Sequence, residues 1–125
     1  MPAVNDYKKI DERTFDFALA TIEAYKFLIS KNEYVISKQL LRSGTSIGAN
    51  VHEAQAAQSK KDFVAKMAIA SKEARETDYW LQLLEKGGFF IDYPKKDEVM
   101  SENAAIINII TKIVKTSQSS MADRF

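Results

Sequence analysis

The chain has 125 residues, 46% hydrophobic and 28% charged, with 18 Lys plus Arg against 17 Asp plus Glu and a formal net charge of +1. That size and composition fit one globular domain with one core, and the near-neutral balance supplies no overall field to draw the molecule to nucleic acid. Any such contact has to come from local patterning. There is no cysteine, which excludes disulfides and cysteine-ligated zinc.

No run approaches the roughly 18 apolar residues of a membrane helix, and the N-terminus lacks a signal-peptide pattern. A cytoplasmic, soluble protein without a membrane partner is expected. Only four Gly and two Pro occur, and Pro2 and Pro94 stand outside the periodic runs. The long uninterrupted segments that remain favour helices, so the class is all-α.

Residues 1–10 carry no clear pattern and are expected to form a flexible arm. From Asp11, the residues Phe15, Ala18, Ile22, Tyr25 and Ile29 recur at three-then-four spacing, which predicts a helix over 11–30 with that stripe facing the core. Ser30, Lys31 and Asn32 then allow only a tight connection, so the next helix is an antiparallel neighbour. It is predicted over 33–57, with Ile36, Leu40, Ser43, Ile47, Asn50, Ala54 and Ala57 along its seam. Gly44 and Gly48 lie inside that register. Each costs about 1 kcal/mol relative to alanine in a helix, so close packing or function has to offset them, and a close helix crossing beside Leu40, Ile47 and Val51 is the expectation.

Ser59 followed by Asp62 resembles a capping box. It opens a third helix over 60–86, in which Phe63, Met67, Ala70, Ala74, Thr77, Leu81 and Leu84 share a register, and which stops at Gly87 and Gly88. Phe89, Phe90 and Ile91 are expected to plug the bundle end. A fourth helix over 95–117 carries Val99, Ile106, Ile109, Ile110, Ile113 and Val114, and the closing SQSSMADRF reads as a frayed, flexible tail. Four long helices with short connections describe an up-down-up-down antiparallel four-helix bundle in a single domain.

From Gln39 to Leu84 the sequence resembles the four-helix bundle family named after the 23S rRNA intervening-sequence protein. Arg42, Ser43, Thr45, Ser46, Ile47, Gly48, Ala49 and Asn50 match its signature, and Ser59, Phe63 and Ala70 continue it. The resemblance implies a small bacterial bundle that associates with itself, characteristically as a homopentamer, with no established enzymatic activity. A related branch, the accessory variability proteins of diversity-generating retroelements, is basic and engages nucleic acid and a reverse transcriptase. This chain departs from that branch in its near-neutral charge.

Several constellations remain to be assigned. Gln39, Arg42, Ser46, Asn50 and Glu53 are spaced by three, four, four and three residues and form a polar stripe about 20 Å long. Arg42 requires a carboxylate from another helix or subunit if the stripe is buried, and the stripe is expected to register helices or subunits. The isoleucines of the fourth helix cover about 160° of arc, more than one seam uses. Ile69, Trp80 and Leu83 make a second apolar stripe on the third helix, suited to burial in an oligomer. Lys61, Lys72, Arg75 and Lys86 share a face with Tyr79, the pattern of a phosphate-contacting strip with one stacking ring.

Catalysis has little to stand on. His52 is the only histidine, its neighbour Glu53 points about 100° away on a helix, and no Glu-x-x-His motif or phosphate-binding loop occurs. No catalytic, metal or cofactor residues are assigned, and no cofactor is expected. The leading expectation is a non-enzymatic, self-associating assembly or adaptor module. One alternative is a nucleic-acid-binding accessory protein that uses repeated basic faces of the oligomer. Another is a small-ligand-binding bundle that uses the stripe from Arg42 to Glu53.

Overall fold

The computed structural model describes the backbone of residues 4–122 and the side chains of residues 9–120. It contains four helices, α1 (Val4–Ser30), α2 (Ile36–Gln55), α3 (Lys60–Lys86) and α4 (Lys96–Ala122). Each of the 27-residue helices α1, α3 and α4 extends about 40 Å at 1.5 Å per residue. Sequential neighbours pack along their lengths and α4 returns beside α1, while among the described residues the diagonal pairs α1/α3 and α2/α4 bring no Cα atoms within 8 Å of each other. This is the four-helix bundle that the periodicity predicts. Among the described residues its α1/α4 seam is the most open of the four.

Helix starts and stops follow local chemistry. Ser59 caps α3 by accepting from the Asp62 backbone N–H at 3.0 Å. At the other end of α3, Gly88 adopts a positive φ of 85°, and the Phe89 N–H reaches back to the Leu84 carbonyl at 2.9 Å. Asn32 plays the same part after α1, with φ 63° and a 2.9 Å bond from the Glu33 N–H to the Leu28 carbonyl. Asparagine tolerates that left-handed geometry better than most residues.

α2 opens without a capping side chain at Val35. Glu33 does the work instead. Its carboxylate accepts from the N–H groups of Val35, Ile36 and Ser37 at 3.1, 2.9 and 2.5 Å. Burial pushes the Glu33 pKa up, but the three backbone donors outweigh it and hold the carboxyl below its ordinary value.

The predicted α3 seam is buried from Met67 to Leu84, with Phe63 half-buried against the core. In α2 the buried set is Ser37, Leu40, Ser43, Gly44, Ile47, Gly48, Val51 and Ala54, so the core face turns toward the glycines and away from Asn50. The wide apolar arc of α4 is absorbed inside the bundle, where Ile107, Ile109 and Val114 pack at the edge of the core around Ile106, Ile110 and Ile113. α1 begins at Val4, within the expected arm, and α4 runs through Ala122, within the expected tail. Residues 1–3 and 123–125 of those two segments lie outside the described residues.

α1 presents a different face to the core from the one that its apolar spacing predicts. Ile10, Thr14, Phe17, Thr21, Ala24 and Leu28 are buried, whereas Phe15 is 64% exposed and Ala18, Ile22, Tyr25 and Ile29 are half-buried. The cause is the glycine pair of α2. A Cβ added at Gly44 would lie 2.6 Å from Thr21 Cγ2, and one at Gly48 would lie 3.0 Å from the Thr14 carbonyl oxygen. Helix α1 rests directly on the glycine backbone, at the height where threonines fill the seam. Thr14 and Thr21 bury their hydroxyls by donating to the Ile10 and Phe17 carbonyls, each at 2.8 Å.

The end of the bundle that holds the α1–α2 and α3–α4 connections is plugged by Phe90 alone of the three expected residues. Phe90 is buried, while Phe89 and Ile91 are exposed. Phe90 stacks on Tyr93 at 5.3 Å between ring centroids, and Tyr93 meets Phe27 at 4.7 Å. That aromatic trio closes the core and leaves the flanking residues outside it.

Candidate functional site

The polar stripe of α2 lies over the α2/α3 seam at the surface. Arg42 extends to α3, where Nη1 meets Glu73 Oε2 at 3.3 Å and Nη2 pairs with Glu76 Oε2. The same Glu76 oxygen accepts from Trp80 Nε1 at 2.9 Å. Gln39 Oε1 accepts from Arg42 Nε at 3.3 Å, and the Ser46 hydroxyl donates to the Arg42 carbonyl at 2.7 Å. Asn50 donates to the Ser46 carbonyl at 2.8 Å, and Glu53 faces Lys66 at 3.4 Å. Arg42 thus finds its carboxylates on α3 of the same chain. Below it, the buried hydroxyls of Ser43 and Thr77 share a hydrogen bond at 2.9 Å, which ties the two helices a second time.

The outer face of α3 is mixed. Ile69, Tyr79 and Leu83 are exposed, and Trp80 is half-buried, set edge-on to Tyr79 with centroids 5.0 Å apart. Lys61, Lys72 and Lys86 are exposed on this face, and no ion pair falls on them among the described residues. Arg75 turns to α4 and donates to Thr111 Oγ1 at 3.1 Å. A shallow groove of about 250 Å³ runs past Arg75, Asp78, Tyr79, Leu83 and Lys86.

A second outer face was hidden from the sequence by the rotation of α1. Phe15 and Leu19 are 64% and 51% exposed. Beside them a recess of about 280 Å³ is floored by Ala18, Thr45, Gly48 and Ala49. The available signal was that α1 carries two apolar stripes, one through Ile10, Phe17, Ala24 and Leu28 and one through Phe15, Ile22, Tyr25 and Ile29. One bundle seam uses only one of them. Glu12 and Asp16 border Phe15 and Leu19 in sequence, and both are exposed.

Groups with catalytic chemistry are scattered. His52 is 79% exposed at its side chain, with Nδ1 3.4 Å from Asp11 Oδ1. Ser43 is buried against Thr77, and Ser46 is committed to a backbone carbonyl. No group of three His, Asp or Glu placed to hold a metal ion occurs among the described residues. What the surface offers is apolar area with charge at its borders.

The sequence profile of the 23S rRNA-intervening sequence protein family matches residues 8–112. Among solved structures, a protein of unknown function from the S23 ribosomal protein family of Bacteroides thetaiotaomicron is 40% identical, with a TM-score of 0.83 over 88% of this chain and 98% of that one. No curated protein matches. With the profile spanning all four helices and the bundle itself shared with that structure, the chain belongs to the 23S rRNA-intervening sequence protein family.

Proposed function

We propose that this protein is a non-enzymatic assembly or adaptor module that associates with itself through the outer faces of α1 and α3. The observation that carries this reading is the exposure of Phe15 and Leu19 on one helix and of Ile69, Tyr79 and Leu83 on the helix diagonally across from it. Contiguous exposed apolar surface marks interaction sites. Because the two stripes lie on diagonal corners of the bundle, one copy has two distinct places to dock.

Charge favours joining unlike stripes. Glu12 and Asp16 border the α1 stripe, whereas Lys61, Lys72 and Lys86 border the α3 stripe. Like stripes would bring like charges together, while unlike stripes bring opposite charges together. A contact between different patches is heterologous and closes into a ring when its rotation permits. The homopentamer implied by the family resemblance is one such ring.

Sedimentation equilibrium tests the reading. The monomer is 14.1 kDa, and the expected result at micromolar concentration is a single species at an integral multiple of that mass. A 14.1 kDa species would contradict self-association.

A second reading, nucleic-acid binding, is favoured by the unpaired Lys61, Lys72 and Lys86 beside the exposed ring of Tyr79. It competes with the first for the same face of α3. If it holds, RNA or DNA retention weakens steeply with salt and is lost in a Lys72→Glu/Arg75→Glu variant. Absence of retention at low salt removes it. The stripe from Arg42 to Glu53 has its polar atoms engaged by α2 and α3, which leaves small-ligand binding there without support.

A further inference from the structure

The end of the bundle where both odd-numbered helices finish carries an apolar tip that neither the fold nor self-association through α1 and α3 uses. Val35 is 74% exposed and Ile91 82%, with Tyr34 and Phe89 beside them in the same two connections. Lys31 pairs with Asp92 at 3.7 Å, which brings the α1–α2 connection against the α3–α4 connection. The four side chains therefore occupy one end of one bundle.

Nothing in the local structure calls for apolar residues there. Val35 stands at the N-cap of α2, where Ser, Thr, Asp and Asn are preferred, yet it makes no capping bond because Glu33 caps the helix from two residues away. Ile91 lies beside Gly88, with Cδ1 3.6 Å from where a Gly88 Cβ would be, and almost all of its surface faces solvent. Side chains this exposed stand out from the surface rather than line a recess. Protruding apolar groups need a complementary pocket to dock on a protein, whereas a lipid interface deforms around them.

The charges left free at the tip have a matching sign. Residues 31–38 and 85–98 hold five Lys and five Asp plus Glu, so the pairing among them decides the field. Four of the five carboxylates are occupied, Glu33 by backbone donors, Asp92 by Lys31, and Glu85 and Asp97 by Lys96, which leaves Glu98 against three lysines. Lys38, Lys86 and Lys95 are exposed and carry no ion pair among the described residues. Lysines at the border of an apolar prong are attracted to the negative surface potential of anionic lipid.

We propose that this tip docks peripherally on membranes bearing anionic phospholipid, with Val35, Phe89 and Ile91 entering the headgroup boundary and Lys38 and Lys95 held at the phosphates. Among the described residues no helix is long and apolar enough to cross a membrane, so the contact is with the surface only. The inference stands without self-association, since one bundle carries the whole tip. A ring of parallel copies would place every tip on one face and multiply a weak contact.

The test is co-sedimentation of the full chain with vesicles of phosphatidylglycerol and phosphatidylcholine against vesicles of phosphatidylcholine alone. The expected result is binding to the anionic vesicles that weakens with salt and falls by about tenfold or more in a Val35→Asp/Ile91→Asp variant. Both positions are exposed, so circular dichroism and sedimented mass should match the wild type. A Lys38→Glu/Lys95→Glu variant should lose binding while keeping the apolar prongs. Equal binding to neutral and anionic vesicles, binding that survives both variants, or no binding to anionic vesicles overturns the proposal. The last outcome would leave the tip to a protein partner.

Discussion

Gly44 and Gly48 illustrate how two absent side chains place a whole helix. Glycine in a helix interior is unfavourable by about 1 kcal/mol relative to alanine, yet here each lacks a Cβ where α1 already stands. At Gly44 the obstacle is the Thr21 side chain, 2.6 Å away, and at Gly48 it is the Thr14 backbone, 3.0 Å away. Thr21 cannot readily turn aside, being fully buried with its hydroxyl bonded to the Phe17 carbonyl. Gly44→Ala should therefore destabilise by up to about 2 kcal/mol, the overpacking penalty less the gain in helix propensity. Adding Thr21→Ala should return part of that loss, a positive coupling in a double-mutant cycle. Chemical unfolding at one fixed protein concentration reads both numbers. A Gly44→Ala variant more stable than wild type would show that α1 does not sit where the account puts it.

At the scale of elements, the same contact explains what apolar periodicity revealed and what it concealed. α3 was legible because its seam is apolar almost throughout and its cap and stop signals are local. Ser59, Asp62 and Gly88 act within a few residues of themselves. The core face of α1 was not legible, because Thr14 and Thr21 occupy core positions whose justification lies on α2. Counting apolar residues then selects the outward stripe through Phe15 and Ile22. The polar stripe of α2 was visible as a pattern, but its partners Glu73 and Glu76 depend on how α3 is set against it. The start of α2 was hidden in a different way, since its cap is Glu33, outside the helix, rather than the residue at its first turn. Glu33→Gln should cost about 1 kcal/mol at pH 7. The sign with pH follows from the lowered carboxyl: its contribution is present above the ordinary value of 4.5 and is lost as pH falls through the lower folded-state value. The stabilities of wild type and Glu33→Gln should differ at neutral pH and converge in acid, once the folded-state carboxyl is protonated. An unchanged gap between them across that range would mean that Glu33 is not the cap.

For the whole molecule, the bundle buries one apolar stripe per helix and leaves two over, on diagonally opposite helices. Phe15 is the twelfth residue of α1 counted from Val4, and Ile69 the tenth of α3 counted from Lys60. The two helices run parallel in an up-down-up-down bundle, so in a ring of parallel copies these side chains lie at nearly the same height. The chain has no native cysteine, so introduced thiols report only on themselves. The most direct measurement is crosslinking with a short bis-maleimide in Phe15→Cys, Ile69→Cys and an equimolar mixture of the two. Neither variant alone is expected to crosslink to itself, and the mixture is expected to yield covalent dimers. Self-crosslinking of a single variant would contradict the pairing of unlike stripes, and a mixture that stays monomeric would contradict the α1-to-α3 contact.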